Sequence, residues 1–82
     1  MEELNQNQIK IFPNPVKESF TVEGNQSLHQ VQIFNMVGQQ ILNTSYQNGT
    51  PINMTSFPKG CYLIRILDEN EATIQTSRLM KN

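Results

Sequence analysis

The residues with the widest chemical repertoire are few and far apart. The chain has one histidine, His29, and one cysteine, Cys61. A Ser-His or Cys-His arrangement can be written only through His29, and for the Cys61–His29 pair nothing local supports an activated thiolate. His29 has no cysteine, aspartate or glutamate at metal-ligand spacing, so it reads as an ordinary edge or surface histidine. Carboxylates gather at Asp68, Glu69 and Glu71. A calcium loop needs spaced oxygen ligands and a glycine at its sharp bend. This segment has neither, so it reads as a solvated hairpin turn. Gly24, Gly38, Gly49 and Gly60 fall one per turn, which leaves no loop able to cradle a phosphate. The chemistry of an enzyme, a metal site or a cofactor site is therefore not expected.

The single cysteine excludes an intrachain disulfide. Cys61 reads as a small, half-buried strand residue, with an intermolecular crosslink as its other use in an oxidising compartment. Six aromatic residues remain as candidates for a ligand surface: Phe12, Phe20, Phe34, Tyr46, Phe57 and Tyr62. An exposed set of Phe12, Phe34 and Tyr46 would make a sugar-stacking platform, but such aromatics are more often core, and the chain lacks tryptophan. Tyr62, in phase with Ile64, is expected to point inward with its hydroxyl on backbone. Asn-X-Ser/Thr occurs at Asn25, Asn43, Asn48 and Asn53, as composition alone would produce in a chain with ten Asn and nine Gln.

These side chains must be held by elements that fit in 82 residues, which means one domain with a thin stability margin. Charged residues make up 16% of the chain and the net charge is −1, so no basic field exists to hold nucleic acid or an anionic membrane. No apolar run approaches the roughly 20 residues that span a bilayer. The opening Met1-Glu2-Glu3-Leu4 has no leader character, so the chain is expected to be cytoplasmic or a piece of a longer exported protein.

Residues 1–8 lack periodicity and read as a linker or tail; the domain proper is expected over 9–82. Short β-like runs then recur every 8 to 12 residues, a spacing typical of sandwiches and barrels. They fall at Ile9–Phe12, at Phe20–Val22 running on to Gly24-Asn25, at Val31–Ile33, Gln40–Thr44, Ile52–Met54, Cys61–Leu67 and Ala72–Met80. Gly38 is expected to take a positive φ in the turn after Met36-Val37. The sixth run is apolar on both faces, as a central strand requires. Phe12-Pro13-Asn14-Pro15 reads as a corner, with Asn14 bonding nearby backbone to hold its own turn. Seven short strands and no helical periodicity predict an all-β, seven-stranded, Ig-like antiparallel β-sandwich of Greek-key type.

Four ordered features carry a more specific likeness. They are Phe12-Pro13-Asn14-Pro15; Val31-Gln32-Ile33-Phe34-Asn35-Met36-Val37-Gly38-Gln39-Gln40; Ile52-Asn53-Met54-Thr55-Ser56-Phe57-Pro58-Lys59-Gly60-Cys61-Tyr62-Leu63-Ile64-Arg65-Ile66; and a last strand ending in Arg78-Leu79-Met80-Lys81. In this order and spacing the chain resembles the type A C-terminal sorting domains of type IX secretion cargo. It departs from that family's pattern with Phe12 in place of tyrosine, Cys61 in place of an aliphatic residue, and the end Met80-Lys81-Asn82.

The resemblance implies a transport address and no catalyst. It implies a cargo N-terminal to the domain, transit through the periplasm, and delivery to the outer membrane, the cell surface or the medium. The implied partners are the type IX translocon and shuttle proteins and a sortase that joins the cargo to anionic lipopolysaccharide. By position, recognition is expected at Arg78, Leu79, Met80 and Lys81. Phe12, Pro13, Asn14, Pro15, Gly38, Pro58, Gly60, Tyr62 and Arg65 carry the family motifs. An open edge on the last strand would suit strand addition by a receptor, so either a monomer or an edge-paired or strand-swapped dimer is expected. Removing Arg78 to Asn82 is expected to leave a largely folded domain that is not exported. The other class considered is an Ig-like adhesive or carbohydrate-binding module.

Overall fold

The computed structural model describes residues 9–24 and 28–82. The expected linker over 1–8 and the expected turn at Asn25 lie outside the described residues. The elements run β1 (Ile9–Phe12), β2 (Ser19–Gly24), β3 (Gln30–Phe34), β4 (Gln40–Ser45), β5 (Pro51–Asn53), β6 (Gly60–Leu67) and β7 (Thr73–Lys81). They form a three-stranded sheet, β1-β2-β5, and a four-stranded sheet, β4-β3-β6-β7. Every strand pairing in the two sheets is antiparallel. The chain changes sheet after β2, after β4 and after β5, which makes the Greek-key crossings of an Ig-like sandwich. Both the expected fold class and the seven runs are present. Boundaries shift by a residue or so: the last strand is Thr73–Lys81 where Ala72–Met80 was expected, and Met54 lies outside β5, yet its side chain is fully buried and its N–H still donates to the Glu18 carbonyl at 2.7 Å.

The core follows from period-2 alternation on both sheets. Phe20 and Val22 from β2 and Ile52 from β5 face Val31 and Ile33 from β3, Tyr62, Ile64 and Ile66 from β6, and Leu79 from β7. The sixth run is indeed central, with β3 on one side and β7 on the other. Its alternate residues Cys61, Leu63 and Arg65 are half-buried or exposed on the outer face of the sheet. No polar or charged residue among those described is fully buried.

Two tyrosines bring hydroxyls into this apolar interior, and each hydroxyl is satisfied by backbone. Tyr62 donates to the carbonyl of Pro58, four residues upstream, with the Phe57 ring 6.1 Å from its own. This matches the tyrosine corner found in Ig-like sandwiches. Tyr46 acts at the other end of the molecule: its hydroxyl accepts from Val22 N–H at 2.7 Å and donates to the Thr50 carbonyl at 2.6 Å. It thus ties the segment leaving the four-stranded sheet to the central strand of the other sheet.

Fully buried side chains dominate a thin margin. Ile64→Ala is expected to cost about 2–5 kcal/mol, whereas Thr76→Ala on the exposed outer face should change stability by less than about 0.5 kcal/mol. Chemical denaturation of the two variants side by side checks this.

Candidate functional site

Register brings the motif segments to one end of the sandwich. Phe12 and Ser19 flank the β1–β2 corner, and Ser19 pairs with Asn53 at the end of β5. Phe34 pairs with Leu63, and Leu63 with Arg78. Gly60 pairs with Lys81, and Val16 forms a parallel bridge to Lys81. The Pro-Asn-Pro corner, the Asn35–Gln39 turn, the Phe57–Gly60 turn and the C-terminal residues therefore share that end. Ile9, Tyr46 and the Asp68–Ala72 turn lie at the other.

The corner does something local sequence does not reveal. Both of its X–Pro bonds, Phe12–Pro13 and Asn14–Pro15, are cis. Asn14 does not hold its own turn as expected. Its Nδ2 donates to the Arg78 carbonyl at 3.2 Å, and its Oδ1 accepts the Met80 N–H at 3.1 Å. Val16 continues the pattern: its N–H donates to the Met80 carbonyl at 2.7 Å, and its carbonyl accepts the Asn82 N–H at 2.9 Å. A residue in a parallel ladder bonds the carbonyl before and the N–H after the residue it faces. The Asn14 carboxamide does this around Leu79 and the Val16 backbone does it around Lys81, making two successive rungs. A carboxamide has the donor and acceptor of a peptide group, so it can stand in for one. The prolines on either side have no N–H to offer.

The outer edge of β7 is therefore filled from the Arg78 carbonyl to the Asn82 N–H, contrary to the open edge expected from sequence. Farther back, Gln75 Nε2 reaches the Ile9 carbonyl at 3.4 Å and Ser77 Oγ at 2.7 Å. Among the four residues expected to carry recognition, Leu79 is fully buried in the core, while Arg78 and Met80 are exposed on the outer sheet face and Lys81 is half-buried. Arg78, Leu63 and Phe34 lie in one cross-strand row, and Met80 faces Cys61 in the next, their sulfurs 3.0 Å apart. Arg65 lies over the Phe34 ring at 5.0 Å, a cation–π contact that shields the ring.

The neighbouring turn is built by Asn35, whose Oδ1 accepts the N–H of Val37 at 3.1 Å and of Gln39 at 2.9 Å. Gly38 takes φ +88°, as expected. This turn exposes Met36 and Val37, the latter 84% accessible. Sequence reasoning missed both that exposure and the role of Val16. The one available signal was the asparagine between prolines, whose side chain is the polar group such a corner has to spare.

The other candidates resolve differently. Phe12 is exposed on the three-stranded sheet, Phe34 lies beneath Arg65 on the opposite sheet, and Tyr46 is buried. The three do not form the aromatic platform a sugar would need. Asp68 Oδ1 accepts the N–H of Asn70 and of Ala72, so this carboxylate closes its own turn. Among the described residues no cluster of metal-ligating side chains forms, and no helix is long and apolar enough to cross a membrane.

The family model for the secretion system C-terminal sorting domain matches residues 10–82. The chain belongs to this family. The sorting domain is also similar to curated proteins. It is 31% identical over 77 residues to an endo-acting ulvan lyase of Formosa agariphila, an alignment covering 89% of this chain and 15% of that protein. It is 30% identical over 76 residues to the ulvan lyase NLR42 of Nonlabens ulvanivorans, covering 88% of this chain and 14% of that protein. The sorting domain thus spans about one seventh of the length of these relatives. What it presents at the motif-bearing end is a strand with its backbone filled and its charged and thioether side chains outward.

Tyr46 offers a test of how the opposite end is held. Burial, above all, lifts its phenol above the ordinary value of 10.0, with the nearby Glu23 charge adding to the rise and the backbone bonds opposing it. Because the folded-state value is raised, the neutral phenol's contribution is complete below the unfolded value and is lost as pH rises through the folded one. Tyr46→Phe leaves Val22 N–H and the Thr50 carbonyl without their partner and should cost about 1–3 kcal/mol at neutral pH. The gap between wild type and variant should narrow above about pH 10, as thermal melts across an alkaline series would show.

Proposed function

We propose that this sorting domain is the transport address of a type IX secretion cargo. It directs a protein joined to its N-terminal side across the outer membrane, after transit through the periplasm, to the cell surface or the medium. The observation that carries this is the family match across residues 10–82. The geometry supports it. The chain comes in at Ile9, beside Gln75, and the signal residues sit about 10 to 20 Å farther along β7 at strand spacing. A folded cargo before Ile9 would leave the far end of the sandwich clear for the export machinery. The two relatives are named for ulvan lyase activity, which makes an exported polysaccharide-degrading enzyme a reasonable cargo class. Removal of the domain by a sortase and attachment of the cargo to anionic lipopolysaccharide complete the proposal.

The test fuses residues 9–82 behind a periplasmic reporter in a strain competent for type IX secretion. Surface display, read by protease accessibility on intact cells, is the expected result; retention in the periplasm overturns the proposal. Deleting Arg78 to Asn82 is a poor control, because it removes the fully buried Leu79 and the bonds to Asn14 and Val16. Arg78→Glu spares the core. It should leave the melting temperature nearly unchanged and reduce surface display roughly tenfold, the scale of one lost charge-assisted contact.

A further inference from the structure

We propose that Asn14 and Val16 are positioning residues for the C-terminal signal, and that the export machinery reads side chains on a strand whose backbone these two have already filled. The proposal rests on the sorting reading above and specifies how the signal is presented. A sheet edge usually offers a partner its unpaired N–H and carbonyl groups. Here the Arg78 carbonyl, the Met80 N–H and carbonyl and the Asn82 N–H are taken by the Asn14 carboxamide and the Val16 backbone. A receptor adding a strand would have to displace both, and Val16 is fully buried.

What remains available is side-chain chemistry. Leu79 points into the core, so its neighbours Arg78 and Met80 are turned out together onto the outer sheet face. Arg78 follows Leu63 and Phe34 in its row, and Met80 faces Cys61. The partner surface that fits is an acidic group for the Arg78 guanidinium beside an apolar recess for the Met80 thioether. The alternation is useful only if the strand end stays in register, and the two corner rungs hold it there. Asparagine suits the first rung because it both donates and accepts. Aspartate would keep the acceptor for Met80 N–H but turn a carboxylate toward the Arg78 carbonyl, and alanine would offer neither group.

The experiment compares Asn14→Ala, Asn14→Asp and Tyr46→Phe, each in the reporter fusion and in the 82-residue chain. Tyr46→Phe is the stability control, since it weakens the opposite end and does not touch β7. Amide hydrogen exchange reads the strand end locally, and surface display reads the signal. In Asn14→Ala the Met80 amide should lose protection by about tenfold or more while the Ile64 and Ile66 amides keep theirs. Surface display should fall about tenfold with it, while Tyr46→Phe, at an equal or larger loss of melting temperature, is displayed like wild type. Asn14→Asp should fall between Asn14→Ala and wild type in both readouts. If Asn14→Ala loses protection throughout the core, the same criteria pass to Asn14→Asp.

Wild-type display by a variant with an unprotected Met80 amide overturns the proposal. So does increased display, which would mean that a receptor adds a strand to the opened edge. Equal loss of display in Tyr46→Phe overturns it as well, since stability alone would then account for the effect. A wild-type fusion that stays in the periplasm is a failure of the sorting reading itself, which separates the two.

Discussion

The end of β7 depends on a corner that lies more than sixty residues earlier in the chain. An edge strand in a small sandwich is a liability, because its outward backbone groups invite pairing with other chains. This molecule closes the end of β7 with two rungs from the first corner: the Asn14 carboxamide around Leu79 and the Val16 backbone around Lys81. With those rungs in place, Leu79 can complete the core and Arg78 and Met80 can face solvent in a defined register. The corner also joins the three-stranded sheet to the four-stranded one, so the two layers are tied by hydrogen bonds at that end as well as by the core.

The opposite end is tied by different means. There the Tyr46 hydroxyl reaches the Val22 backbone, and Asn48 exchanges bonds with Gly24, its Oδ1 accepting at 3.3 Å and its Nδ2 donating at 2.7 Å. Tyr62 performs the equivalent service within the β5–β6 connection. A domain this short buries too little surface to rely on its core alone, and these buried or bracing polar contacts select one packing of two sheets that apolar burial by itself would leave free to slide. Each places a donor on an acceptor, so none carries the penalty of an unpaired buried group.

The few chemically versatile side chains are absorbed by structure. Asp68 closes a turn, Cys61 sits beside Met80 on the outer face, and His29 is exposed while its backbone bonds Leu67 and Tyr46. The end of the sandwich that carries the motifs presents shape, charge and exposed apolar groups. The exposed Met36, Val37 and Met80 share one end with Arg78 and the corner, and that end is the farthest from Ile9.

Sequence alone determined the layout. Period-2 alternation marked the seven strands and, for β6, the side that faces inward, because a one-residue slip would turn its apolar side chains outward. The doubly apolar run from Cys61 to Leu67 marked the central strand, and Tyr62 in phase with Ile64 marked its own inward, backbone-bonded hydroxyl. Gly38 announced its positive φ by following Met36-Val37 in the turn between β3 and β4. Tertiary structure alone decided what the Pro-Asn-Pro corner is for. Local rules credit an asparagine there with holding its own turn, because they see only groups a few residues away, whereas its real partners are brought close by the packing of one sheet on the other. The same limit hid the backbone partners of the Tyr46 hydroxyl, the shielding of Phe34 by Arg65, and the closure of the last strand's edge, since each depends on which strands become neighbours and none on the residues beside them in the chain.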